Sequence, residues 1–281
     1  MNINNFFKKR TALLTKKGHT ENSYIYDTKT FRSLSSQDKY LIRRGSDDAT
    51  MTVTLDDITG GEYATWLAGA TGYIVEWYNT EENAVILERN NSNITQMILT
   101  TDGVVDDYAE NTSLRALNFA HSLLNTDVIF NFVFKNITTP AYRTSLVVSG
   151  NTSGKYGVGE LFSLLFYSNK CWLKWVSRAD SASDSSFACL HNNNEIQTLS
   201  FLYSGNVVSK AILNGVEQTL GAGNGTGHQA IAVSSVIVLG TLQDQPYSAG
   251  MIGKISHFSI LHNTTEDLLK VNQELTAIYN P

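Results

Sequence analysis

The chain has 281 residues, a formal net charge of −5 and an isoelectric point near 5.7. This acidic balance excludes generic nucleic-acid binding, which needs a basic surface. No apolar run approaches the roughly 18 residues of a membrane-spanning helix, so no membrane partner is predicted. Hydrophobic residues make up 42% and charged residues 17% of the chain, with only three prolines, which favours a soluble, β-rich protein.

The first 22 residues differ from the rest and are predicted to form an N-terminal docking arm. Residues 5–17 carry five of the 21 basic residues and no acidic residue, and they lack the apolar core of a secretion signal. We expect Phe6 and Phe7 to anchor the arm in an apolar pocket of a partner protein. Lys8, Lys9 and Arg10 would then meet an acidic surface on that partner. Contact with a membrane is the weaker alternative.

Residues 23–102 alternate short strands with turns. The segment 40–54 predicts a strand, a turn and a second strand, and Gly72–Asn79 predicts another strand. One or two helical turns are predicted over Glu62–Ala68, because Tyr63, Trp66 and Leu67 would share one face of a helix.

These segments carry a resemblance to a known kind of domain. The order L-I-R-R-G-S-D-D-A at 41–49, then a short helix, then G-Y-I-V-E-W-Y-N at 72–79 is similar to the opening of a sandwich domain in fungal-type α-L-arabinofuranosidases. Bacteriophage tail and virion proteins also carry that domain. The resemblance spans residues 40–79, and the sequence departs from it after Asn79, where Thr-Glu-Glu replaces the usual Gln-Ser-Gly turn.

The middle of the chain is a succession of predicted strands. Val128, Phe130, Phe132 and Phe134 alternate along one of them, a pattern typical of the inner face of a sheet. Further strands are predicted over Leu161–Tyr167, Cys171–Val176, Ile196–Tyr203, Val207–Leu213 and Val233–Leu239, with a hairpin turn at Asn214–Gly215. The two cysteines, Cys171 and Cys189, have no metal-ligand spacing; two free thiols are favoured over a disulfide.

The end of the chain predicts a strand over Ile255–Leu261 and a closing helix over Thr265–Tyr279. Asn263 and Thr264 offer side-chain oxygens to cap the helix start. One packing stripe is formed by Leu268, Asn272, Leu275 and Tyr279. The pattern G-x-I-G-x-I-x-x-F-x-I, followed by a short helix, resembles the close of a concanavalin A-like (laminin G-like) jelly-roll domain. This resemblance implies a glycan-binding or structural module.

The predicted fold class is therefore all-β: an antiparallel two-sheet jelly-roll sandwich of the concanavalin A-like type, with a C-terminal helix and an N-terminal arm. The arm covers residues 1–22 and the jelly roll covers 23–281. Within the jelly roll, residues 23–102 supply N-terminal strands and residues 103–281 the main sandwich.

Two kinds of binding site are predicted. Asp47, Asp48, Asp106 and Asp107 are adjacent carboxylates in turn-like contexts, where sandwiches of this class often hold structural calcium. Solvated turns are the favoured alternative, and no other cofactor is predicted. Trp172, Tyr78 and Trp66 are candidate aromatic platforms for stacking a sugar, with core packing as the alternative for each.

No catalytic residue is predicted. Glycoside hydrolysis needs two carboxyl groups, and Glu76, Glu88 and Glu160 lie in or beside strands, but none matches the arabinofuranosidase catalytic acids. Together with this lack of a matched acid pair, the resemblance to phage virion domains implies a non-enzymatic bacteriophage virion protein, of the tail-fibre, head-fibre or decoration type. Its expected partners are other virion proteins, copies of itself as a homo-oligomer, and a host-surface glycan; its location would be the virion. A glycoside hydrolase of the arabinofuranosidase-like group and a bacterial surface adhesin are the alternatives.

Overall fold

A computed structural model describes most of the strands and helices of the chain. The described residues are 24–31, 33–79, 86–89, 96–103, 105–107, 113–119, 127–138, 143–149, 160–167, 170–176, 184–190, 195–204, 207–220, 235–240, 252–262 and 266–280. Of the strands within 113–119, 143–149, 160–190 and 235–240 only the backbone is described. The docking arm predicted at residues 1–22 lies outside the described residues.

The described part of the chain is mainly β-structure with three helices. The strands are β1 (Tyr24–Asp27), β2 (Asp38–Arg44), β3 (Thr50–Thr54), β4 (Gly72–Tyr78), β5 (Ile86–Arg89), β6 (Ile98–Leu99), β7 (Val105–Asp107), β8 (Ser113–Phe119), β9 (Val128–Thr138), β10 (Arg143–Ser149), β11 (Glu160–Tyr167), β12 (Lys170–Val176), β13 (Asp184–Leu190), β14 (Ile196–Ser204), β15 (Val207–Leu213), β16 (Val216–Glu217), β17 (Ser235–Gly240) and β18 (Ile252–His262). The helices are α1 (Leu55–Gly60), α2 (Glu62–Leu67) and α3 (Leu268–Tyr279).

The strands form two antiparallel sheets, as the sequence predicts. The first sheet has the order β16–β15–β14–β9–β18, and β1 and β7 share the remaining edge of β18. The second has the order β3–β2–β4–β5–β8–β17–β10–β11–β12–β13. Strand β6 pairs with both β4 and β7, and so joins the sheets along one side. The fold is a jelly-roll-like β-sandwich.

The main core lies between the two sheets. Phe130, Phe132 and Phe134 of β9 all point into it, which confirms the period-two prediction for this strand. From the second sheet, Tyr40 and Trp77 are buried in the same core. The centroids of their two rings lie 5.5 Å apart. Burying such large aromatic side chains contributes much of the hydrophobic stabilisation of a sandwich.

One end of this core is closed by α1 and α2. Helix α1, absent from the sequence prediction, begins with a capping box: the Thr54 hydroxyl accepts from the Asp57 amide at 3.1 Å and the Asp57 carboxylate accepts from the Thr54 amide at 2.8 Å. In α2 the buried Tyr63 donates to the Leu99 carbonyl at 2.7 Å. The Tyr63 hydroxyl would lie only 2.1 Å from a Cβ atom at position 72, which is a clash. The close packing therefore requires glycine at this position.

A second core lies on the outer face of the first sheet, beneath α3. The predicted stripe is confirmed, since Leu268, Asn272, Leu275 and Tyr279 are all buried. The helix begins later than predicted, at Leu268, because the Asp267 carboxylate accepts from the amides of Leu269 and Lys270 and so caps the first turn. The proposed caps Asn263 and Thr264 are therefore wrong for this helix.

The strand register also locates the two cysteines. Cys171 of β12 lies directly opposite Cys189 of β13. Directly opposed residues of antiparallel strands have Cα atoms about 4.5–5.5 Å apart, within the range of a disulfide. Sequence spacing alone does not reveal this pairing, and two free thiols stay a prediction. Among the described residues, no helix has the length and apolar character needed to cross a bilayer.

Candidate functional site

Two arginine–aromatic pairs lie at the end of β2, and because successive residues of a strand point to opposite faces, they lie on opposite sides of the sheet. We call the surface formed by Arg44 and Trp66, on the side where α2 packs, the arginine–aromatic face; Arg43 and Tyr73 form the second pair. Arg43 and Tyr73 are opposite each other in the β2–β4 register, and the guanidinium carbon lies 4.8 Å from the centre of the tyrosine ring. The guanidinium carbon of Arg44 lies 4.9 Å from the centre of the Trp66 ring. Both arrangements are cation–π contacts.

Further hydrogen bonds hold the two guanidinium groups in place. Arg43 donates from Nε and Nη2 to the side-chain oxygen of Gln96, at 3.2 and 2.7 Å. Arg44 donates from Nη1 to the carbonyl of Trp66. The face is therefore ordered before any ligand arrives, which lowers the entropic cost of binding.

The β2–β3 turn supplies the counter-charges. Arg44 donates two parallel hydrogen bonds, of 2.9 and 2.7 Å, to the Asp47 carboxylate. Arg43 donates to the Asp48 carboxylate at 2.5 Å. Asp48 adopts a left-handed conformation with φ of 61°, which reverses the chain and turns its carboxylate toward Arg43. Hydrogen bonds from the Arg44 guanidinium lower the pKa of Asp47 to about 2.

This arrangement bears on the predicted calcium ligands. The carboxylates of Asp47 and Asp48 are engaged by arginines, and Asp106 and Asp107 lie on the separate strand β7. Within the described ranges, no three acidic, histidine or cysteine side chains group as metal ligands do. The side chains of Asp106 and Asp107 lie outside the described residues, so calcium at these four positions stays a prediction.

The predicted sugar platforms fall in different places. Trp66 is half-buried and belongs to the arginine–aromatic face. Tyr78 is half-buried on β4, where burial and a hydrogen bond to Glu76 raise the pKa of its phenol. Trp172 lies on β12 opposite Leu165, at the far end of the second sheet, and its side chain is outside the described residues.

Two carboxylate-bearing residues come together on adjacent strands. Glu76 of β4 lies directly opposite Glu88 of β5, and Glu88 lies in turn opposite Arg115 of β8. Side chains paired in this way share a face of the sheet, with Cβ atoms about 4.5–5.5 Å apart. Glu76 is half-buried and Glu88 is exposed. Glu160 lies far along the same sheet at the start of β11.

A groove on the first sheet is a feature that sequence reasoning missed. Its volume is about 580 Å³, and it lies beside the C-terminal end of α3. It is lined by Asp102, Lys135, Glu195, Ile196, Lys254, Ser256 and Asn280. The lining residues come from five separate parts of the chain, so no local motif marks them.

Comparison with known proteins gives structural similarity alone. No protein-family model matches the sequence, and no curated protein matches it. Among solved structures, an arabinofuranosidase complexed with arabinofuranosyl-α-1,2-xylobiose has a TM-score of 0.62 at 14% identity, over 94% of this chain and 64% of that one. A GH54 α-L-arabinofuranosidase soaked with a cyclic sulfate inhibitor has a TM-score of 0.61 at 14% identity, over 95% and 65%.

A third similar structure comes from a toxin. It is botulinum neurotoxin type C, whose cell entry depends on two ganglioside molecules, with a TM-score of 0.51 at 14% identity over 73% of this chain and 51% of that one. This chain thus spans less than two thirds of the length of each of these proteins. At such identities the similarity establishes the antiparallel β-sandwich fold, in agreement with the resemblance of residues 40–79.

Proposed function

We propose that this chain is a non-enzymatic carbohydrate-binding module, carried on a bacteriophage particle and used to contact a host-surface glycan. The observation that carries the binding role is the arginine–aromatic face. Saccharides are bound by stacking their apolar C–H faces on aromatic rings while fixed polar groups meet their hydroxyls. Trp66 supplies a ring, and Arg44 beside it supplies donors held in a fixed position. The similarity to sandwich proteins solved with carbohydrate ligands supports the same role.

Replacing Trp66 by Ala is expected to weaken glycan binding by at least about tenfold, because truncating an aromatic anchor typically costs more than 1.4 kcal/mol of binding energy. Host-surface polysaccharide fragments would be selected on a glycan array and their affinity measured by titration calorimetry. Arg44→Gln should also weaken binding. Lys270→Gln, which removes one positive charge from an exposed site on α3, is the matched control and should bind as the wild type does.

The virion assignment and the concanavalin A-like relationship belong to this proposal. They are supported by the likeness of residues 40–79 and of the C-terminal pattern to phage and laminin G-like domains. The arm would dock on another virion protein through Phe6, Phe7, Lys8, Lys9 and Arg10. Deleting residues 1–20 should leave the sandwich folded but prevent its incorporation into particles; normal incorporation would refute the docking role.

A glycoside hydrolase is the second candidate, and one observation favours it. Glu76 and Glu88 lie opposite each other, and a retaining glycosidase needs two carboxyl groups about 5–5.5 Å apart. Against it, Glu88 is exposed, whereas a general acid generally needs a desolvated site to hold its proton at neutral pH. Turnover of aryl arabinofuranosides that is abolished by Glu76→Gln or Glu88→Gln would establish this candidate instead.

A further inference from the structure

We propose that the groove beside the end of α3 is a second binding site, and that it takes the carboxylate or sulfate group of an acidic saccharide. Lys135 of β9 and Lys254 of β18 both line the groove. The site is separate from the arginine–aromatic face, which belongs to the second sheet. The proposal rests on the proposed function only in that the ligand is a saccharide.

The first argument is the register of the two lysines. Lys254 lies directly opposite Lys135, while their neighbours Ile255 and Phe134 are paired in the core between the sheets. The lysine side chains therefore share the outer face, with Cβ atoms about 4.5–5.5 Å apart. Like charges placed opposite each other in this way repel and destabilise a sheet. An anion bound between them would convert the repulsion into two attractive contacts.

The second argument is that neither lysine has a close ion-pair partner among the described residues, although Lys254 also lies opposite Asp106 of β7 on its other side. Both lysines are half-buried, so part of their hydration is already lost. Among the residues that the structure describes, neither ammonium group has a hydrogen-bond or ion-pair partner. By contrast, Lys210 on β15 is paired with Glu217 at 3.1 Å. The lysine pair therefore has both the charge and the free donors that an anionic ligand needs.

The third argument concerns the kind of anion. Asp102 and Glu195 also line the groove and are exposed. Their carboxylates would repel a small polyanion such as inorganic phosphate, but they are good acceptors for sugar hydroxyl groups. Ser256 and Asn280 add neutral polar groups. The groove, of about 580 Å³, therefore has two adjacent lysines surrounded by hydrogen-bond acceptors. This matches a sugar ring with one acidic group, for the lysines, and several hydroxyl groups, for the acceptors.

The test uses the full chain and three oligosaccharides of equal length: an oligogalacturonate, a sulfated glycosaminoglycan fragment and a neutral gluco-oligosaccharide. At least one of the two acidic oligosaccharides should bind more tightly than the neutral one in titration calorimetry. If only the oligogalacturonate binds, the acidic group that the groove recognises is a carboxylate. If only the sulfated glycosaminoglycan fragment binds, it is a sulfate. The double variant Lys135→Gln with Lys254→Gln should weaken that binding at least about tenfold. The charge-matched double variant Lys210→Gln with Lys270→Gln should leave it unchanged.

Thermal unfolding of each variant shows whether it folds. Because Lys135→Gln removes the repulsion between the two lysines, its melting temperature should be equal to or above that of the wild type. Equal affinity for all three oligosaccharides, or wild-type affinity in the Lys135/Lys254 double variant, would overturn the proposal. Acidic-ligand binding that survives this double variant but is lost with Trp66→Ala would refute the groove and retain the proposed function. Failure of every saccharide to bind would refute both.

Discussion

Replacing Lys39 by Met is expected to lower the free energy of unfolding by about 3–5 kcal/mol, because it leaves a charged carboxylate buried without its cation. Lys39 and Asp27 are both fully buried, and the Lys39 ammonium donates to Asp27 Oδ1 at 2.5 Å. The other oxygen, Asp27 Oδ2, accepts from the Phe31 amide at 3.0 Å and the Ser33 hydroxyl at 2.8 Å. Urea unfolding at pH 7 would measure the loss.

The control for this prediction is the double variant Asp27→Asn with Lys39→Met. The asparagine oxygen still accepts from Phe31 and Ser33, and no charge remains buried, so most of the stability should return. Burial raises the pKa of Asp27 even beside Lys39. In Lys39→Met the pKa of Asp27 in the folded state rises further. Because this pKa is above the ordinary value of 3.8 that applies to the unfolded chain, the free energy of unfolding increases as the pH falls toward 3.8. The deficit should therefore shrink on acidification; a deficit independent of pH, or a double variant no better than Lys39→Met, would contradict this explanation.

Replacing Asn272 by Leu is expected to lower the free energy of unfolding by about 2–4 kcal/mol, although leucine has the higher helix propensity. Asn272 is fully buried where α3 meets the first sheet. Its amide nitrogen donates to the Thr198 carbonyl at 3.1 Å and the Ser200 hydroxyl at 3.0 Å, and its oxygen accepts from the Gly215 amide at 2.7 Å. Leucine would leave these groups buried with fewer partners.

The matched control is Gln273→Leu, at the next position of the same helix but on its exposed side. That substitution should change the free energy of unfolding by no more than about 0.5 kcal/mol. Guanidinium unfolding of both variants makes the comparison. Equal effects at 272 and 273 would show that the polar contacts of Asn272 do not hold the helix on the sheet.

The sequence predicts the β-sandwich well because its signal is local. Alternation along β9 places Val128, Phe130, Phe132 and Phe134 on the inner face, and the Asn214–Gly215 turn has φ values of 50° and 78°, as a tight hairpin needs. The start of α3 was missed by a few residues because several side chains near it can act as caps, and tertiary packing selects Asp267.

The candidate sites are less predictable because they depend on contacts between distant segments. Trp66 could be named from the sequence as a sugar platform, but its contact with Arg44 arises only when α2 packs beside β2. Arg44 and Arg43, which bind Asp47 and Asp48, lie only three and five residues earlier in the sequence, but these contacts depend on how the β2–β3 turn folds; calcium at the two aspartates stays a prediction. The pairing of Lys135 with Lys254 depends on the β9–β18 register, which no short motif encodes.

The central claim, that the chain binds a saccharide without cleaving it, is tested most directly by hydrogen–deuterium exchange of the full chain with a saturating host-surface saccharide. The mass of the saccharide is measured in the same sample. A non-enzymatic binding module predicts slower exchange in peptides covering residues 40–49 and 62–73, which carry the arginine–aromatic face, and a saccharide of unchanged mass. Shortened saccharide that disappears in the Glu76→Gln variant, or binding without any protection of those two segments, would contradict it.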